Sequence, residues 1–156
     1  MKGIIIALAL IAAGYYIYHN HSPFQTTVTD PYYAEIRINL RASNVQLVGF
    51  GKMNSLADCT ARAALVWANT LKTLGEVEVK SDCKKEISER YRKLFVNEKI
   101  PASYIALDRG TDGERDARFI FYGIPSSYVS RECQTITQRI RQGYKGKVFC
   151  VQGSVG

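Results

Sequence analysis

The chain has 156 residues, is 46% hydrophobic and carries a formal net charge of +7, which suits one ordinary domain and excludes a small scaffold that folds only through its cysteines. Its four cysteines are even in number and widely spaced, with no CxxC pair, and the two histidines, His19 and His21, lie far from all of them. This usage argues against zinc and for two disulfides in an oxidising compartment.

The chain begins MKGIIIALALIAAGYYIYHNH, a single lysine followed by an uncharged run from Gly3 to Tyr18. As a helix, residues 4–18 rise roughly 22 Å at about 1.5 Å per residue, somewhat short of a bilayer core. Tyr15, Tyr16 and Tyr18 make up the difference at the headgroup level, while Lys2 and the amino terminus stay inside. The candidate small-residue cleavage site, Ala12-Ala13-Gly14, follows an apolar core of about eight residues, which is early for processing. An uncleaved signal anchor therefore ranks ahead of a removed signal peptide. Residues 1–20 read as this transmembrane anchor, and 21–31, polar and bounded by prolines, as a tether. Residues 32–156 read as one extracytoplasmic domain. In a bacterium this places a single-pass protein in the inner membrane with its C-terminal domain in the periplasm.

In EIRINLR, from Glu35, apolar and polar residues alternate as in a strand with one wet face. ASN supplies a turn and VQLVGFG an antiparallel partner. Leu56, Cys59, Ala63, Val66, Trp67, Thr70, Leu71 and Leu74 then recur at helical spacing, ended by Gly75, and EVEVK follows as a short strand. SDCKKEISERYRKLFVNEKIP predicts a second helix, capped by Ser81 or Asp82, with Ile87, Tyr91, Leu94 and Phe95 on one face. ASYIALD and DARFIFYG are strands around the turn RGTDGER. SSYVSRECQTITQRIRQG is a helix with Val129, Cys133, Ile136 and Ile140 inward, and KGKVFCVQG is the last strand.

The expected fold is thus α+β: two ββαβ units related by duplication, with helices on one face of a largely antiparallel sheet. From Cys133 to the helix end is roughly 14 Å of rise, and the strand returns roughly 10 to 13 Å to Cys150. From Cys59 the helix rises roughly 22 Å and an extended segment returns roughly 23 to 26 Å to Cys83. The spacing therefore pairs Cys59 with Cys83 and Cys133 with Cys150, each bond stapling a helix to the next strand and contributing about 3 kcal/mol.

No catalytic, cofactor or metal motif stands out. His19 and His21 in a juxtamembrane tether are poor general bases, and a serine triad or cysteine–histidine pair is out of reach. The acids Asp108, Asp112, Glu114 and Asp116 share a glycine-containing turn that lacks calcium-loop spacing, so a solvated hairpin is the better account. The basic charge is the strongest functional hint. Around the middle helix it is offset by Glu86–Arg90 and Glu89–Lys93 pairs, whereas Arg139, Arg141, Lys145 and Lys147 have no acid near them in sequence. These four are the candidate binding residues, for an acidic envelope protein or an anionic cell-wall or lipid surface. Nucleic acid ranks lower as a partner. The leading expectation is a non-enzymatic, membrane-anchored binding or assembly module of the bacterial envelope. A small cell-wall glycan hydrolase using Glu76, Glu78 or the Asp108–Asp116 acids is the alternative. A pilus-like or DNA-uptake component ranks below both.

Overall fold

The computed structural model describes residues 28–40, 44–69 and 77–154. In chain order it holds β1 (Tyr32–Leu40), β2 (Val45–Met53), α1 (Leu56–Asn69), β3 (Val77–Lys84) and α2 (Glu89–Arg92), which runs into a 3-10 turn at Lys93–Val96. Then come β4 (Tyr104–Asp108), β5 (Ala117–Tyr122), α3 (Ser126–Arg141) and β6 (Lys147–Val151). The strands form one six-stranded sheet, ordered β3-β1-β2-β5-β4-β6, with every neighbouring pair antiparallel. Among the described residues the fold is α+β, a six-stranded antiparallel sheet with three helices. The anchor and most of the tether, through residue 27, lie outside the described residues. Among the described residues, no helix is long and apolar enough to cross a membrane.

Side chains alternate across the sheet, so register decides what each face carries. On the front face Tyr32 and Ala34 of β1 meet Met53 of β2 and Cys83 of β3 beneath Cys59 of α1. Farther along, Ile105 and Leu107 of β4 and Val148 of β6 lie beneath Cys133, Ile136 and Ile140 of α3. The two long helices thus share one face, each on its own half of the sheet.

The middle segment departs from expectation in length and place. A helix was expected from Ser81 onward, but Ser81–Lys84 continue β3, with Cys83 opposite Ala34. Pairing to β1 satisfies backbone groups that a helix would have had to satisfy within itself, and the helical stretch shrinks to Glu89–Val96. It lies on the back face rather than beside the other helices. The reason is apolar: Val48, Phe50, Tyr104, Ala106 and Ile120 leave the back of the central strands without water-compatible groups, and Ile87, Leu94 and Ile100 cover them. Tyr91 stacks on Phe50 at 4.3 Å between centroids, and Phe95 meets Tyr33 at 5.6 Å. With this change Lys93 pairs with Glu98 at 3.3 Å, not with Glu89.

The disulfides join Cys59 to Cys83 and Cys133 to Cys150, with Cα separations of 6.1 and 6.0 Å. Each ties one long helix to the strand that follows it. There are no free cysteines among the described residues.

Candidate functional site

The β4–β5 loop, the α3–β6 turn and the start of α1 meet at one end of the sheet. Glu114 joins the first two. Its carboxylate accepts the amides of Gly110 at 2.8 Å, Lys145 at 2.5 Å and Gly146 at 3.1 Å. This close approach requires glycine: a Cβ on Gly146 would stand 1.9 Å from the Asp108 carbonyl oxygen. Tyr144 strengthens the join by donating its hydroxyl to the Arg115 carbonyl at 2.8 Å. Burial, then the carboxylates of Glu114, Asp116 and Asp108, push the Tyr144 phenol well above its ordinary pKa.

Asp58, in the first turn of α1, binds the same loop. Arg115 reaches it at 2.7 Å, Arg62 at 2.8 Å and the Asn54 amide at 3.0 Å. Burial alone would raise its pKa, but hydrogen bonds from Arg115, Arg62 and Asn54 together outweigh burial and hold it at about 2.

The other loop acids are committed as well. Asp116 accepts the Arg109 amide at 2.9 Å, Asp112 lies 3.4 Å from the Arg109 guanidinium, and Asp108 pairs with Arg118 at 2.7 Å. Arg118 is 1% exposed. All five of its N–H donors have acceptors: the carbonyls of Leu94, Leu107 and Ala117, and the side chains of Asn97 and Asp108. Its guanidinium also lies 5.2 Å from the centre of the Phe95 ring. Glu78 stands at the far end of the sheet, opposite Asn39 on β1, so it is not brought together with the loop acids. Glu76 lies outside the described residues. No group of three or more His, Cys, Asp or Glu among the described residues could hold a metal ion.

Of the four basic residues singled out by sequence, Arg141 is engaged in the fold. Its guanidinium donates twice to the Val148 carbonyl, at 3.0 and 2.6 Å, on edge strand β6. Arg139, Lys145 and Lys147 are exposed. Two of them have acids near them in space: the Lys145 amide is itself bound by Glu114, and Lys147 lies opposite Asp108 in the ladder. The sequence separation of about thirty residues between loop and turn hid this from a local count of charges.

Open clefts among the described residues include two on the back of the molecule. The larger, about 440 Å³, is lined by charged residues including Glu89, Arg90, Lys93 and Lys99. The smaller, about 310 Å³, runs along Glu35, Arg37, Lys80 and Lys84. Sequence reasoning missed Arg118 and Asp58. Arginine within DARFIFYG, amid strand-forming apolar residues, was the available signal for Arg118, since a charge there must be exposed or paired.

No family model matches the chain, and neither a curated protein nor a solved structure does.

Proposed function

We propose that this chain is a non-enzymatic binding or assembly module of the bacterial envelope, held in the inner membrane by residues 1–20 and presenting residues 32–156 to the periplasm. The observation that carries the reading is the use made of the acidic loop. Its carboxylates hold backbone amides and arginines together, so the acids serve the scaffold, and exposed Arg139, Lys145 and Lys147 surround the turn that the scaffold fixes. Such a rigid, cation-bearing turn suits an acidic protein or an anionic wall or lipid surface. Two disulfides within one domain support an oxidising compartment.

Duplication of a ββαβ unit belongs to the same reading. Strand order is mirrored about the β2–β5 pair, and each half bonds a cysteine on its long helix to one on its third strand. A module built this way offers two similar halves, of which the second carries the contact.

The test is a pull-down from envelope extracts with the full chain and with a triple variant, Arg139→Gln, Lys145→Gln and Lys147→Gln. Arg141 is left in place because it caps Val148. Loss of a recovered partner at low salt, with both disulfides intact, is the expected outcome. Retention of every partner would contradict the assignment of the contact.

A further inference from the structure

The two edges of the sheet are finished differently. On β6, Arg141 closes over the outward Val148 carbonyl, and the side chain of Gln152 reaches Cys150 Sγ at 3.6 Å. That edge is blunted against strand addition. The opposite edge, β3, runs eight residues without proline and pairs on its inner side with β1.

Charges on β3 alternate in sign along the back face: Glu78, Lys80, Asp82, Lys84. Against β1 this row is mismatched at two directly opposite positions, while Lys84 reaches Glu35 on the diagonal at 3.4 Å. Lys80 lies opposite Arg37 and Asp82 opposite Glu35, and like charges directly opposite are unfavourable. Lys80 instead pairs along its own strand with Glu78 at 3.2 Å, and Lys84 with Asp82 at 3.1 Å. Lys80 and Asp82 remain 73% and 59% exposed, so both can take a partner from outside.

We propose that β3 is the docking edge for a second copy of this chain, joined antiparallel about a two-fold axis at Ser81. In that register Lys80 of one copy lies opposite Asp82 of the other, and Glu78 opposite Lys84. Every charge in the row meets its opposite. Moving the axis by one residue sets Lys80 against Lys80 or Asp82 against Asp82, and moving it by two keeps only half of the opposite-charge pairs, so the pattern favours the register centred on Ser81. The front face also permits it. Ser81, a small residue, stands at the axis, and α1 packs chiefly over β1 rather than over the edge. The two α1 helices would then be three strand spacings apart, roughly 14 Å at about 4.8 Å per strand, beyond the 8–10 Å of packed helices. Backbone hydrogen bonds between the two β3 strands supply affinity, and the charge row supplies register.

The experiment mixes isotopically light and heavy full-length chain in neutral detergent and applies a zero-length amine-to-carboxyl cross-linker. Light-to-heavy links from Lys80 to Asp82 and from Lys84 to Glu78 are expected. Their absence, with only links inside one chain, would overturn the proposal. Sedimentation then reads the strength of the pairing. By symmetry Lys80→Glu turns two attractive pairs into repulsive ones, for a loss of about tenfold in dimer affinity, and adding Asp82→Lys restores it. Equal dimerisation of the wild type and the Lys80→Glu variant, both with native disulfides, would also overturn it.

Discussion

Asp58 collects donors from three places: Arg115 on the β4–β5 loop, Arg62 one turn further along α1, and the Asn54 amide before the helix. Its carboxylate therefore does at once what an N-terminal helix acid and a loop anchor do separately. With its pKa held at about 2 against an ordinary 3.8, it stabilises the folded state above about pH 4, and that contribution is lost as pH falls through the folded value. Replacing Asp58 with Asn should lower stability at pH 7 by about 2 kcal/mol, after allowance for partial exposure. The same replacement should change much less at pH 2, near the folded pKa, where most of the advantage has gone. Denaturant titrations at the two pH values check this; a penalty equal at both would assign the effect to packing instead of charge.

At the scale of elements, the 87–100 segment is held to the back of the sheet by two means. Leu94 is fully buried with Phe50, Tyr104 and Ile120 in its cluster, and Arg118 reaches out of β5 to the Leu94 carbonyl and the Asn97 side chain. Asn97 ends the 3-10 turn in the left-handed region, at a φ of 59°, which asparagine tolerates better than most residues. Lysine at 118 would keep the charge but lacks the planar fork that satisfies five acceptors, leaving buried carbonyls unpaired. Arg118→Lys should cost about 3 kcal/mol, with faster amide exchange across residues 93–97 than elsewhere; thermal unfolding and hydrogen exchange read both. Legibility in the sequence also divides by element. Strand alternation in β1 and β5 and helical spacing in α1 and α3 reflect contacts made along a single element, so pattern alone found them. Ser81–Lys84 read as helix-capping because Asp and Lys suit a first turn, and their partner on β1 stands more than forty residues away. The back-face position of α2 depended on the central strands being apolar on both sides, which the alternation of EIRINLR alone obscured. The scaffold role of Glu114 depended on amides contributed by a distant turn, and no spacing rule points to those.

For the molecule as a whole, the features converge on a rigid body with its connections fixed at one end. Glu114, Asp58 and Arg118 tie both long helices and the back-face segment to the loop and strands between them, and the two disulfides fasten each helix to its next strand. Disulfides of this kind persist where thiols oxidise and no reducing pool reverses the bonds, as the proposed envelope location requires. The β1 strand begins at this same end, beside Lys85, which pairs with Asp30 of the approaching chain. Extracytoplasmic placement is tested most directly by the thiol state of the full chain in living bacteria, trapped by alkylating intact cells before lysis and read by non-reducing peptide mass spectrometry. The result expected is Cys59 linked to Cys83 and Cys133 linked to Cys150, with no alkylated cysteine. Alkylation of all four cysteines in the trapped protein would place the domain in a reducing compartment and contradict it.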